Sequence, residues 1–125
     1  MPILFLIIFG IIQYGFYFFA YQGGSDAARS AARLSAVGNP VTCTAFRTAV
    51  TSDMPPNSTN VLIKRTFEKN SLNRVEIGRT VTVTISFQSP DLGVGFLPSV
   101  KDGKITSTAK SRVEYVNNGQ PQDCT

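Results

Sequence analysis

The sequence has no histidine and no tryptophan, and only two cysteines in 125 residues. Missing histidine removes the commonest general acid–base group and the commonest metal ligand. Two cysteines about eighty residues apart match no metal-binding spacing. No carboxylate pair, G-x-S-x-G turn or phosphate-cradling glycine loop stands out, and Gly93-Val94-Gly95 lacks a following glycine for a dinucleotide fingerprint. These absences argue against an enzyme and name no metal or cofactor site.

A local absence says more. No side chain from Met1 to Ser25 is charged, whereas all twelve Lys/Arg and all eight Asp/Glu lie from Asp26 onward. The front of the chain is therefore a different physical object from the rest. Ile3 to Tyr21 is about 19 residues with one strongly polar side chain, Gln13. At about 1.5 Å per residue it is just long enough to cross a hydrocarbon core of about 30 Å. A core helix of a small soluble protein would show a polar face, and this segment has none. Tyr14, Phe16, Tyr17, Phe18, Phe19 and Tyr21 gather at its C-terminal end, where an interfacial aromatic belt would sit. A cleaved signal peptide would have a basic start, a shorter apolar run and a small-residue cleavage site, so a retained anchor is the reading adopted.

Beyond the span, Gly23-Gly24 predicts a bend, with Ser25 or Asp26 capping a restart. Ala27 to Ala36 is rich in helix formers, and Gly38-Asn39-Pro40 ends the run with Gly38 at the C′ position. Ala20, Gly24, Ala28, Ala32 and Ala36 form a small-residue ridge at i, i+4 spacing, and a second row holds Ala27, Ala31 and Ser35. Such ridges let helix backbones approach closely, so the expected role is a packing face for other helices, although alanine also simply favours helix. Gln13 either holds a neighbouring helix in register or is tolerated passively.

The remainder, residues 38–125, reads as a separate small α+β domain. Asn39 and Pro40 predict the start of a short helix over about Val41 to Ser52, with Cys43, Phe46 and Val50 as its apolar stripe. Asn60 to Glu68 and Val75 to Phe87 predict strands joined by a turn at Asn70 to Arg74. In the second, Val75, Ile77, Val81, Val83, Ile85 and Phe87 keep one parity. Gln88 to Asp102 is a Gly/Pro-rich loop whose Leu92 to Val100 stretch is apolar enough to contact a partner. Lys104 to Val116 predicts a last strand with Ile105, Val113 and Tyr115 inward. The expected fold is a long N-terminal transmembrane helix (1–37), then one short helix and an antiparallel sheet of about three strands.

Cys43 and Cys124 predict one disulfide, which would pin an otherwise loose polar tail and fit an oxidising compartment. The basic residues are scattered, Lys64-Arg65 being the longest run. They read as solvated surface, or as weak attraction to anionic lipid, wall polymer or nucleic acid. No aromatic-interleaved basic stripe supports nucleic-acid binding. Asn57-Ser58-Thr59 is a glycosylation triplet of the kind that occurs by chance. Arg29 and Arg33 after the span favour a cytoplasmic domain by the positive-inside rule, against the cysteines and strands, which favour export. That conflict hints at basic residues ahead of Met1.

The stretch Phe9-Gly10-Ile11-Ile12-Gln13-Tyr14-Gly15, followed by Ala27-Ala28-Arg29-Ser30-Ala31-Ala32-Arg33, resembles the TadE-like pseudopilins of bacterial tight-adherence (Flp) pilus systems. Ile105 to Tyr115 is more loosely similar to that family's closing strand. Gln13 and Ser30 stand where the family favours acidic residues, and Ala31 replaces its usual glycine. The family's basic leader, with a peptidase glycine and glutamate ahead of the position of Pro2, is not in this sequence. The resemblance implies a single-pass minor pilin or assembly subunit in the bilayer, its C-terminal domain outside the cytoplasm and its helix packed with other pilin-like helices, with a surface pilus as one destination. The alternative is an anchored accessory subunit or binding module of another membrane complex.

Overall fold

The computed structural model describes residues 1–55, 58–88, 104–116 and 119–125. It is α+β: helix α1 (Pro2–Ala36), helix α2 (Cys43–Ser52) and strands β1 (Thr59–Phe67), β2 (Thr80–Gln88) and β3 (Lys104–Arg112). The strands form an antiparallel meander in the order β1-β2-β3.

α1 is one uninterrupted helix of 35 residues, about 52 Å long. The expected bend at Gly23-Gly24 is absent, because both glycines are sites of close approach. A Cβ on Gly23 would collide with the Pro55 ring, and one on Gly24 with the Phe87 ring. The helix ends as expected at Gly38, whose φ of 67° suits glycine. Gly38 N–H donates to Ser35 O (3.0 Å) and Asn39 N–H to Leu34 O (3.2 Å), the Schellman pattern. The N–H groups of Glu114 and Tyr115 donate to Ala36 O (2.8 and 3.2 Å), so the exit from β3 holds the helix end.

Asn39-Pro40 is a cis peptide, and α2 starts at Cys43, two residues later than expected. Its cap is Thr42, whose Oγ1 accepts from Ala45 N–H (3.4 Å). Phe46 and Val50 are buried and Cys43 half-buried, as the stripe required.

One face of the sheet is apolar. Ile63 pairs with Ile85, Phe67 with Val81 and Phe87 with Ile105, and all six are buried. α1 covers this face over β3 and β2 from Ala20 to Ala36, while Phe46 of α2 stacks on Arg65 of β1. The expected strand from Val75 is shorter by five residues. Val75 is buried and forms a bridge with Lys69, but Ile77 lies in a turn at Gly78 (φ 92°) and is 68% exposed. The alternation is interrupted there and resumes at Thr80. Tyr115, expected inward, is 56% exposed because the chain leaves the sheet after Arg112. The apolar stretch Leu92 to Val100 and Asn57 lie outside the described residues.

The tail is pinned. Arg65 and Cys124 exchange both backbone hydrogen bonds (2.8 and 2.7 Å), placing Cys124 on the outer edge of β1. Asp123 accepts from Phe67 N–H (2.9 Å) and pairs with Lys69 (2.9 Å). Cys124 and Cys43 form a disulfide, with Cα atoms 5.5 Å apart. The bridge spans 81 residues, so on a chain-entropy basis it stabilises the domain by about 4 kcal/mol. Cys43→Ser/Cys124→Ser should lower the denaturant midpoint accordingly. Unreduced, unfolded wild-type protein should present no titratable thiol, and two reactive thiols would contradict the pairing.

Candidate functional site: the exposed helix and its attachment

Every large apolar side chain from Ile3 to Ile12 is at least two-fifths exposed, Ile3 reaching 75%. Almost none of this window is buried, so it is not the core helix of the domain, whose interior lies elsewhere. An apolar face all round a helix, far above the patch a soluble monomer exposes, is stable in lipid or against other apolar helices. Length and composition fit a membrane crossing. The aromatics Tyr14, Phe16, Phe18, Phe19 and Tyr21 are exposed in the turns just before the helix meets the sheet, where lipid would give way to water. Gln13, half-buried, lies within the apolar half.

The character of the helix changes at Ala20. Ala20, Gly24, Ala28, Ala32 and Ala36 are buried, as are Ala27, Ala31 and Ser35. The ridge expected to meet partner helices is thus covered by β2 and β3 of its own chain. A partner could reach it only by displacing the sheet. Small side chains here let the helix lie close on large ones. Gly24 faces the Phe87 ring and Ser107, both buried. Gly24 sits against Phe87 and Ser107, and Ala36 sits against Glu114, so α1 and β3 run in the same direction. Gln88 and Lys104 therefore mark the end of the sheet nearest the apolar half of α1, and Arg112 the far end.

Arg65 is the residue that sequence reasoning missed. Grouped with the solvated basic residues, it is instead fully buried on the inner face of β1. Its guanidinium lies 4.2 Å from the Phe46 ring centroid and 5.1 Å from that of Phe67. It donates to Gln122 O from Nε (3.0 Å) and Nη2 (2.7 Å), to Pro40 O from Nη1 (2.9 Å) and to Val41 O from Nη2 (3.3 Å). A planar fork of donors suits this task, because three carbonyls from two distant segments converge on it. The available signal was the alternation of β1, which places residue 65 between Ile63 and Phe67 on the buried parity. Burial lowers the Arg65 pKa from its usual value to about 10, and the nearby Asp123 charge opposes that shift.

No group of three or more His, Cys, Asp or Glu able to hold a metal occurs among the described residues. The described residues form a scaffold and an apolar rod.

The family model described as TadE-like protein matches residues 1–33, which are the apolar half of α1 and most of the part lying on the sheet. No curated protein and no solved structure matches.

Two outcomes follow from the attachment. Gly24→Ala should destabilise the fold by about 1–3 kcal/mol, because the Phe87 ring it meets is itself buried. Gly15→Ala, with nothing within 4 Å of its Cβ, should be neutral or slightly stabilising through helix propensity. Thermal unfolding in detergent compares the two, and equal effects would contradict the close approach. Arg65→Met should cost about 3–5 kcal/mol by leaving buried carbonyls unpaired. The folded pKa lies below the unfolded one, so stability linked to Arg65 changes with pH, and rises, only above about pH 10. The Arg65→Met penalty should therefore be the same at pH 5 and pH 9 in urea titrations.

Proposed function

We propose that this chain, TadE-like over its first 33 residues, is a membrane-anchored pilin-like subunit with a structural role. Its apolar rod sits in the bilayer, its disulfide-bonded domain stands outside the cytoplasm, and the rod meets the helices of other pilin-like subunits. The observation that carries this reading is the continuity of α1. One helix is bare and apolar over its first half and forms the domain core over its second. A cleavable signal has no need of such continuity, and a soluble domain would not leave this surface exposed.

The contact with neighbouring subunits falls on the half of α1 before Ala20, because the ridge after it is already covered. Gln13 is the polar group placed to hold a register there, since an amide side chain can hydrogen-bond across a helix interface in lipid. The Cys43–Cys124 bridge supports an oxidising compartment for the domain. With the domain on that side, the N-terminus faces the cytoplasm. No residue in this reading acts on a substrate.

Full-length protein should remain with membranes through high-salt and carbonate washes and dissolve only in detergent. A form lacking residues 1–16 should be soluble and retain the thermal midpoint of the whole, because among the described residues the core and the Tyr17 ring packed on it lie after Phe16. In-membrane cross-linking from Ile11→Cys should capture pilin-like helices, and Gln13→Leu should reduce that capture several-fold. Release of the intact chain into the aqueous fraction would overturn the anchor. Cross-linking to lipid alone would overturn the subunit role while leaving the anchor standing.

A further inference from the structure

The alternation that buries Ile63, Ile85 and Ile105 turns a second set of side chains to the opposite face of the sheet. The register sets them in rows across the three strands: Lys64 beside Thr84 beside Thr108, and Thr66 beside Thr82 beside Lys110. Neighbouring hydroxyls touch, Thr84 Oγ1 to Thr108 Oγ1 at 3.3 Å and Ser86 Oγ to Thr106 Oγ1 at 3.1 Å. Threonine suits any strand, so its presence alone says little. The accompanying charges are more specific. Lys64, Lys104, Lys110 and Arg112 are all exposed on this parity, and β1, β2 and β3 contain no Asp or Glu.

The geometry points to this hydroxyl-rich, cationic sheet face as a binding surface for an acidic polysaccharide, a proposal that stands apart from the pilin reading. Charge complementarity selects an anionic partner, and three features select among anionic partners. Lys104 to Arg112 covers about 27 Å of strand, at about 3.4 Å per residue. Four cations over that length are far sparser than the phosphates of duplex DNA, at one charge per about 1.7 Å. No aromatic side chain lies on this parity of the strands to stack a base. A lipid headgroup layer fits poorly as well. The strands run along α1, so the face stands away from the bilayer plane, and only the Lys104 end comes near it. A protein interface would need an apolar centre, and Leu62 is the one large apolar side chain on these strands that faces this way. A sugar polymer with spaced carboxylates and many hydroxyls matches dense hydroxyl rows with spaced ammonium and guanidinium groups. The ordered Thr–Thr and Ser–Thr pairs accept and donate to sugar hydroxyls, and the cations meet the carboxylates.

The test uses full-length protein in nanodiscs of zwitterionic lipid, with hyaluronan fragments as the probe, measured by biolayer interferometry at low salt. Hyaluronan should bind and neutral dextran should not, and binding should weaken with added salt. Lys64→Gln/Lys110→Gln and Thr84→Val/Thr108→Val should each weaken binding by about fivefold or more. Arg74→Gln, an exposed cation in the turn before β2, should leave it unchanged. All variants should keep the wild-type thermal midpoint, since every substituted side chain is wholly or partly exposed. No hyaluronan binding would overturn the proposal. So would equal loss in Arg74→Gln, or tighter binding to duplex DNA or to phosphatidylglycerol vesicles than to hyaluronan.

Discussion

The contact between the small-residue ridge of α1 and the inner face of β2 and β3 decides the rest of the structure. Alanine, glycine and serine on the helix leave room for Phe87, Ile85 and Ile105 on the sheet, so the large side chains at this contact come from the sheet and the helix backbone lies close on them. That contact sets the direction of α1 along β3. Because the helix is unbroken, everything before Ala20 must project from the end of the sheet. A single rod then lies in two surroundings. From Ala20 onward its small side chains are buried by protein, and before Ala20 its large apolar ones, apart from Tyr17 at the margin of the core, stay largely uncovered by the described residues. The hydrophobic effect favours lipid or other apolar helices around that half.

The domain holds this rod with a modest core and several ties. α2, the cis-Pro40 segment and the C-terminal tail all converge on β1, and Arg65 joins them through carbonyl acceptors. A buried cation held by neutral carbonyls is costly to desolvate, yet its donor fork satisfies three acceptors at once and lies on two aromatic rings. The disulfide closes the same region covalently from Cys43 to Cys124. The edge of β1 is thereby partly covered, which removes a site where a strand of another chain would otherwise add.

Much of this was legible in residues alone. The uncharged front is legible from its length and lack of charge, and the stripe Phe46/Val50 and the parity of Val81 to Phe87 from their periods, each of which sits where that period requires. The pairing of two cysteines followed from count and context. The readings that differ from the structure have two causes, a partner distant in sequence or a local parity or turn passed over. Gly23-Gly24 reads locally as a bend, and only Pro55 and Phe87 reveal two close approaches. The ridge Ala20 to Ala36 reads as a face for other helices, and β2 and β3 of the same chain lie on it. Arg65 reads as surface by residue type although its strand parity says otherwise. Ile77 fits the alternation of β2 and is turned out by the turn at Gly78. Gln13 lies in the apolar half and is half-buried.

The most direct measurement of the account is amide hydrogen exchange across the junction, on full-length protein in lipid nanodiscs. A continuous helix clamped by the sheet predicts that Gln22 to Asp26 exchange as slowly as Ala27 to Ala32. Fast exchange confined to Gln22 to Asp26 would mean that anchor and domain are separate bodies joined by a hinge, and would contradict the single rod on which this description depends.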